Sequence, residues 1–150
     1  MIKFTINMPP ISKREHIRMV FDNGKLIMLP NEQYKAYEEL CEKYLEDFKD
    51  PIMTKVNIKA MFYRPNRRRM ALTDLLETLL DILVKYRVIY SSNSRYVVSF
   101  DGSGVFYDTE NPRTEVEITE IENGGKYEFC SLNGEAYQRS CGQICTGPKW

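Results

Sequence analysis

"VNIKAMFYRPNRRRMALTDLLETLLDILVKY", residues 56–86, changes its hydrophobic period halfway along. In the first part Val56, Ile58, Ala60 and Phe62 alternate with Asn57, Lys59, Met61 and Tyr63, which predicts a strand with one strongly buried face. In the second part Leu75, Leu76, Leu79, Leu80, Leu83 and Val84 recur at helical spacing and predict a helix with a broad apolar side. Asp74, Glu77 and Asp81 fall at i, i+3 and i+7, so three carboxylates share another stripe of that helix. Between the two elements stand Arg67, Arg68 and Arg69, the only dense basic run in the chain.

Working outward, "IKFTINM" (residues 2–8) alternates like a strand and is stopped by Pro9-Pro10, since proline donates no ladder hydrogen bond. In "HIRMVFDNGKLIMLP" the Asn23-Gly24 pair lies between two apolar runs and supplies the positive backbone angles of a tight hairpin turn. Asn31 can cap a helix over residues 32–48, on which Tyr34, Tyr37, Leu40, Cys41, Tyr44, Leu45 and Phe48 form a core-facing stripe. After the 72–86 helix, "RVIYSSNSRYVVSF" leads through a short turn into a strand, residues 101–104 make a turn, and "PRTEVEITEI" alternates as a further strand. This order of elements predicts an α+β domain with two main helices packed on a mixed sheet.

With 150 residues, the chain suits one ordinary domain with an appendage. Hydrophobic residues at 43% argue against wholesale disorder. No apolar run reaches the roughly 20 residues that span a bilayer, and "MIKFTINMPP" lacks the pattern of a signal peptide, so a cytoplasmic protein without membrane contact is expected. Cys41, Cys130, Cys141 and Cys145 are then expected as thiols, Cys41 as a buried apolar residue. A zinc site from Cys130, Cys141 and Cys145 has little support, because Cys-x-x-x-Cys is a weak signal and the sole histidine, His16, is distant in sequence. One histidine allows no Ser-His-Asp constellation, and no phosphate-cradling glycine motif is present.

"RPNRRRMALTDLLETLLDIL", "RVIYSSNSRYV" and "DTENPRTEVEITEI", together with the order of elements, resemble the RusA family of Holliday-junction resolvases, endonucleases of phage and prophage origin. The resemblance spans residues 1–121, mainly in layout over the first sixty, and leaves 122–150 as a C-terminal extension with a hairpin-like stretch around Leu132-Asn133-Gly134. It implies a homodimer whose clustered aspartates bind Mg²⁺ to activate water for phosphodiester hydrolysis. Aligned position by position, the two aspartates of the family's Asp-x-Asp-Asn fall on Ala71 and Thr73, its Asn on Asp74 and its helical lysine on Glu77. The acidic pair of the following loop falls on Ser91 and Ser92. Magnesium requires hard oxygen ligands, so these substitutions imply a degenerate nuclease with no catalytic residues and no metal cofactor.

Several readings of the remaining features stay open. Asp74, Glu77 and Asp81 would hold a displaced Mg²⁺, with Lys85 or Arg67 contacting phosphate, in an active junction endonuclease; they would be a solvated helix side paired in part with Lys85; or they would bind a partner. Arg67, Arg68 and Arg69 are candidates for contact with branched DNA, without the support of a basic surplus, since 21 Lys and Arg balance 21 Asp and Glu. In the extension Tyr127, Phe129, Tyr137 and Trp150 are candidate anchors for a protein partner. The aromatic helix side around Tyr34, Tyr37 and Tyr44 suggests where a homodimer forms. The expectation is a binding protein that inhibits or modulates a host protein in the manner of an anti-defence or anti-CRISPR factor; a residual Holliday-junction binder is the alternative.

Overall fold

The computed structural model of the chain describes residues 1–121. Its elements run β1 (Ile2–Ile6), a single 3-10 turn (Arg14–His16), β2 (Ile17–Asp22), β3 (Lys25–Pro30), α1 (Glu32–Leu45), β4 (Val56–Arg64), α2 (Leu72–Lys85), β5 (Val97–Ser99), β6 (Gly104–Tyr107) and β7 (Arg113–Glu120). The fold is mixed α+β, as the periodicities predict. The expected second hairpin, the three cysteines Cys130, Cys141 and Cys145, and the aromatics Tyr127, Phe129, Tyr137 and Trp150 all lie outside the described residues.

The main sheet has the order β1-β7-β4-β5, with β6 also paired to β4. β7 is antiparallel to both β1 and β4, whereas β5 and β6 run parallel to β4 and share one of its edges. β5 meets Val56 and Asn57, and β6 meets Met61 to Arg64. In the gap between them the Ser103 hydroxyl accepts from the Ala60 N–H at 3.0 Å and donates to the Ile58 carbonyl at 3.2 Å. Both backbone groups thus find partners where no strand residue stands. Gly102, at φ +85°, supplies the left-handed backbone that turns the chain into this position.

Strict alternation puts Val56, Ile58, Ala60 and Phe62 of β4 in the core beside Val116 and Ile118 of β7. Leu75, Leu79, Ile82 and Leu83 of α2 and Cys41 and Leu45 of α1 complete that core. Burial pushes the Cys41 thiol up to about 12, because the thiolate cannot be solvated there. The Asn31 side chain accepts the Tyr34 N–H at 2.9 Å and so caps α1 as its position predicts. Two boundaries are shorter than expected: β1 ends at Ile6, and α1 at Leu45. Tyr34 is 2% exposed and Tyr37 and Tyr44 pack against the core, so the aromatic side of α1 is consumed within the chain and is not a free dimer surface.

β2 and β3 form a separate two-stranded sheet joined at Asn23 (φ 49°) and Gly24 (φ 76°), the positive pair that a tight hairpin requires. Asp108 organises the turn before β7, accepting from the Glu110 and Asn111 N–H groups and from Arg113 Nη1. These bonds, that from Asn111 first, hold its carboxyl below the usual carboxylate range.

Candidate functional site

α2 presents its leucines to the sheet, and the positions on which the resemblance would place metal chemistry lie at its start and beside it. Ala71 is the N-cap residue and, lacking a polar side chain, makes no capping bond. Thr73, Glu77 and Ser92 come together around a shallow depression of about 380 Å³ whose apolar lining is Leu76, Leu80 and Phe100. Asp81 also borders it. Ser91 is half-buried, and its hydroxyl accepts from the Asn93 N–H at 3.4 Å. Among the described residues no three His, Cys, Asp or Glu side chains converge closely enough to share a metal ion.

The carboxylate stripe is partly solvated and partly paired, with partners other than the expected Lys85. Asp74 pairs with Arg14 Nε at 3.5 Å and Asp81 with Lys13 Nζ at 3.2 Å, both from the segment after Pro9-Pro10. Thr78, between them on the same stripe and buried, fixes that segment: its hydroxyl accepts the Lys13 N–H at 2.9 Å and donates to the Asp74 carbonyl at 2.9 Å. Lys85, expected to pair with Asp81 one turn earlier, pairs with Glu38 of α1. That contact raises the affinity of Lys85 for its proton. The reason is register: residue 85 lies against α1, and residue 81 is already met by Lys13. Of the three carboxylates, Glu77 alone has no ion pair among the described residues.

Arg67, Arg68 and Arg69 are all exposed, in the loop between β4 and α2. The Arg67 guanidinium lies 4.9 Å from the centre of the Tyr107 ring. On β4 and its neighbours Tyr63 stacks on Phe106 at 5.2 Å, and the Arg113 guanidinium sits 3.8 Å above Tyr63. Arg113 is in turn held by Asp108 and Glu115 at 2.9 and 2.8 Å.

A second cavity, of about 510 Å³, lies between the Pro9-Pro10 segment and the end of β4. Arg64 lines it and is 7% exposed, an unusual burial for a guanidinium. Arg64, which lines this cavity, and Thr78, Lys13 and Arg14, which fix the segment over α2, are residues that pattern reading missed. Only the strict alternation through Phe62 pointed to Arg64, which occupies the next inward position of the strand.

No family model matches the chain, and no curated protein sequence matches it. Among the described residues no helix is long and apolar enough to cross a membrane.

Proposed function

We propose that the chain is a RusA-like homodimer of phage or prophage origin that acts by binding, without cutting phosphodiesters, and that its partner is a host protein which it inhibits. The observation that carries this reading is the depression beside α2. Where the resemblance would put magnesium ligands, Thr73 and Ser92 offer hydroxyls, Glu77 is the one carboxylate without an ion pair among the described residues, Asp81 at the border is paired with Lys13, and the apolar lining is Leu76, Leu80 and Phe100. A hydrated divalent cation gains too few charged oxygens there, whereas an apolar side chain of another protein would remove those carbons from water. Asp74 and Asp81 are committed to Arg14 and Lys13, so they add little free negative charge to a displaced metal site.

The homodimer reading is supported by the β2–β3 hairpin. Its cross-strand pairs Met19–Met28 and Phe21–Leu26 lie on one face. Phe21 is 77% exposed, and Met19, Met28 and Leu26 are 65, 61 and 51% exposed. Together they leave roughly 500 Å² of apolar surface in water, at the upper end of what a monomer usually tolerates. Two such faces brought together bury roughly 1,000 Å², the lower bound of a specific interface. The face carries no charge, and a twofold axis makes it its own partner.

A residual junction binder is the second reading, favoured by the exposure of Arg67, Arg68 and Arg69. The test is a cleavage and gel-shift assay on a synthetic four-way junction with Mg²⁺ or Mn²⁺, run beside capture from nuclease-treated bacterial lysate. The expected result is no cleavage and a captured protein that Leu80→Arg loses while dimer mass is unchanged. Nicking abolished by Asp74→Asn or Asp81→Asn would overturn the proposal in favour of a displaced metal site. Tight junction binding at physiological salt, weakened by changing the three arginines to Ala, would overturn it in favour of the DNA binder.

A further inference from the structure

A charged side chain enters a protein interior at a cost of several kcal/mol unless an opposite charge goes with it. Arg64 does so with no carboxylate in ion-pair range among the described residues. Among the described residues its one hydrogen bond runs from Nη1 to the Arg68 carbonyl at 2.6 Å, and its buried Nε has no acceptor. The guanidinium is therefore held in place at Nη1, while its buried Nε goes without a partner among the described residues. It lines a cavity of about 510 Å³ shared with Arg68, His16, Asn66 and a single acid, Glu15.

Apart from Glu15, the other polar side chains lining the cavity can also donate, and neighbouring hydrogen bonds set the orientation of two of them. Asn31 Oδ1 is occupied by the Tyr34 N–H, so the Asn31 amide nitrogen, 3.2 Å from His16 Nδ1, donates to it. A neutral His16 then carries its hydrogen on Nε2 and offers a donor there. Asn66 Oδ1 accepts the Arg68 N–H at 3.1 Å, which leaves the Asn66 amide hydrogens for another acceptor. Two guanidiniums, an imidazole N–H and an amide N–H against the single carboxylate of Glu15 leave the lining with a surplus of donors. They match the three terminal oxygens of a phosphoryl group, which arginine engages two at a time.

We propose that this cavity binds a phosphate monoester, with Arg64 as the principal contact and His16, Asn66 and Arg68 as supporting donors. The volume exceeds that of the phosphate itself and accommodates part of the group it esterifies. That group is either a free nucleotide-sized molecule or the 5′ end of a nucleic-acid strand; the phosphoryl chemistry is the same. The site does not depend on the depression beside α2, and either can fail alone.

The test uses the full chain and calorimetric titration with inorganic phosphate, adenosine monophosphate, adenosine, and an oligonucleotide with and without a 5′ phosphate, with proton–nitrogen spectra of His16 as an independent readout. Phosphate and the monophosphate are expected to bind saturably and to shift the His16 Nε2 resonance, and adenosine is not. Arg64→Met is expected to weaken binding at least tenfold, with Arg64→Lys intermediate. If Arg64→Met does not fold, His16→Phe and Arg68→Ala, each expected to weaken binding severalfold, carry the same test. Saturation by the free nucleotide assigns a small molecule, and binding confined to the phosphorylated oligonucleotide assigns a strand end. Equal binding of adenosine and its monophosphate, no saturable response to any phosphate, or unchanged affinity in the folded Arg64, His16 and Arg68 variants would overturn the proposal.

Discussion

Phe21 is the residue on which the proposed dimer is most easily tried. Its ring is 77% exposed on the hairpin, which leaves roughly 150 Å² of aromatic surface facing water. Truncation to Ala removes about 100 Å² of what a facing copy would bury, or about 2.5 kcal/mol at 25 cal/mol/Å². A twofold axis counts the change twice, so the dimer loses about 5 kcal/mol, which raises the dissociation constant by more than three orders of magnitude. The monomer should keep its stability, because the exposed ring contributes little to the chain's own core. Light scattering and sedimentation over a dilution series are the assay. The wild type should show twice the 17.7 kDa chain mass at micromolar concentration, and Phe21→Ala should show the single mass with an unchanged unfolding midpoint. Leu40→Ala, at the 44%-exposed outer side of α1, is the control and should remain dimeric. A wild-type chain of single mass, or a Phe21→Ala dimer of undiminished affinity, would refute the reasoning.

Other substitutions examine the packing that shapes the site. Thr78→Val removes both the acceptor of the Lys13 N–H and the bond to Asp74, and is expected to cost about 1–3 kcal/mol in urea unfolding, with faster amide exchange at Lys13. Ala71→Asp gives α2 the capping acceptor it lacks and should raise stability by about 1 kcal/mol; an unchanged midpoint would show that the α2 N-terminus is satisfied otherwise. Cys41 keeps its proton in the fold up to about 12 but loses it near its ordinary 9.0 when unfolded. Burial raises Tyr34 in the same direction. Stability is therefore full below pH 9 and falls as pH rises toward 12, by about 1.4 kcal/mol per pH unit for each group once its unfolded form ionises, measurable as a falling urea midpoint that Cys41→Ala makes less steep.

What the sequence made legible was local. Alternation in β4 and β7, the helical spacing of α2, the Asn23-Gly24 turn and the Asn31 cap each depend on residues within a few positions, and each stands where pattern reading puts it. β6 was missed because Val105, Phe106 and Tyr107 are consecutive and exposed, with no alternation to mark them; their order comes from pairing with β4, 43 residues earlier. The pairing of Asp74 and Asp81 with Arg14 and Lys13 was invisible for a related reason. A charge run reads as solvated until the segment that covers it is placed, and here a threonine buried on the helix places it. Arg64 defeated pattern reading because a charged residue beside a proline looks like the end of a strand.

The shared edge of β4 has a consequence for how the protein survives in a crowded solution. A nine-residue strand with an apolar inward face is a ready template for a foreign strand, and fibrils grow from such templates. β5 and β6, three and four residues long, are each too short to invite addition, and the Ser103 hydroxyl closes the interval between them. Replacing Ser103 by Ala would leave the Ala60 N–H and the Ile58 carbonyl open to an intruder, and aggregation kinetics would register that vacancy sooner than the melting temperature would.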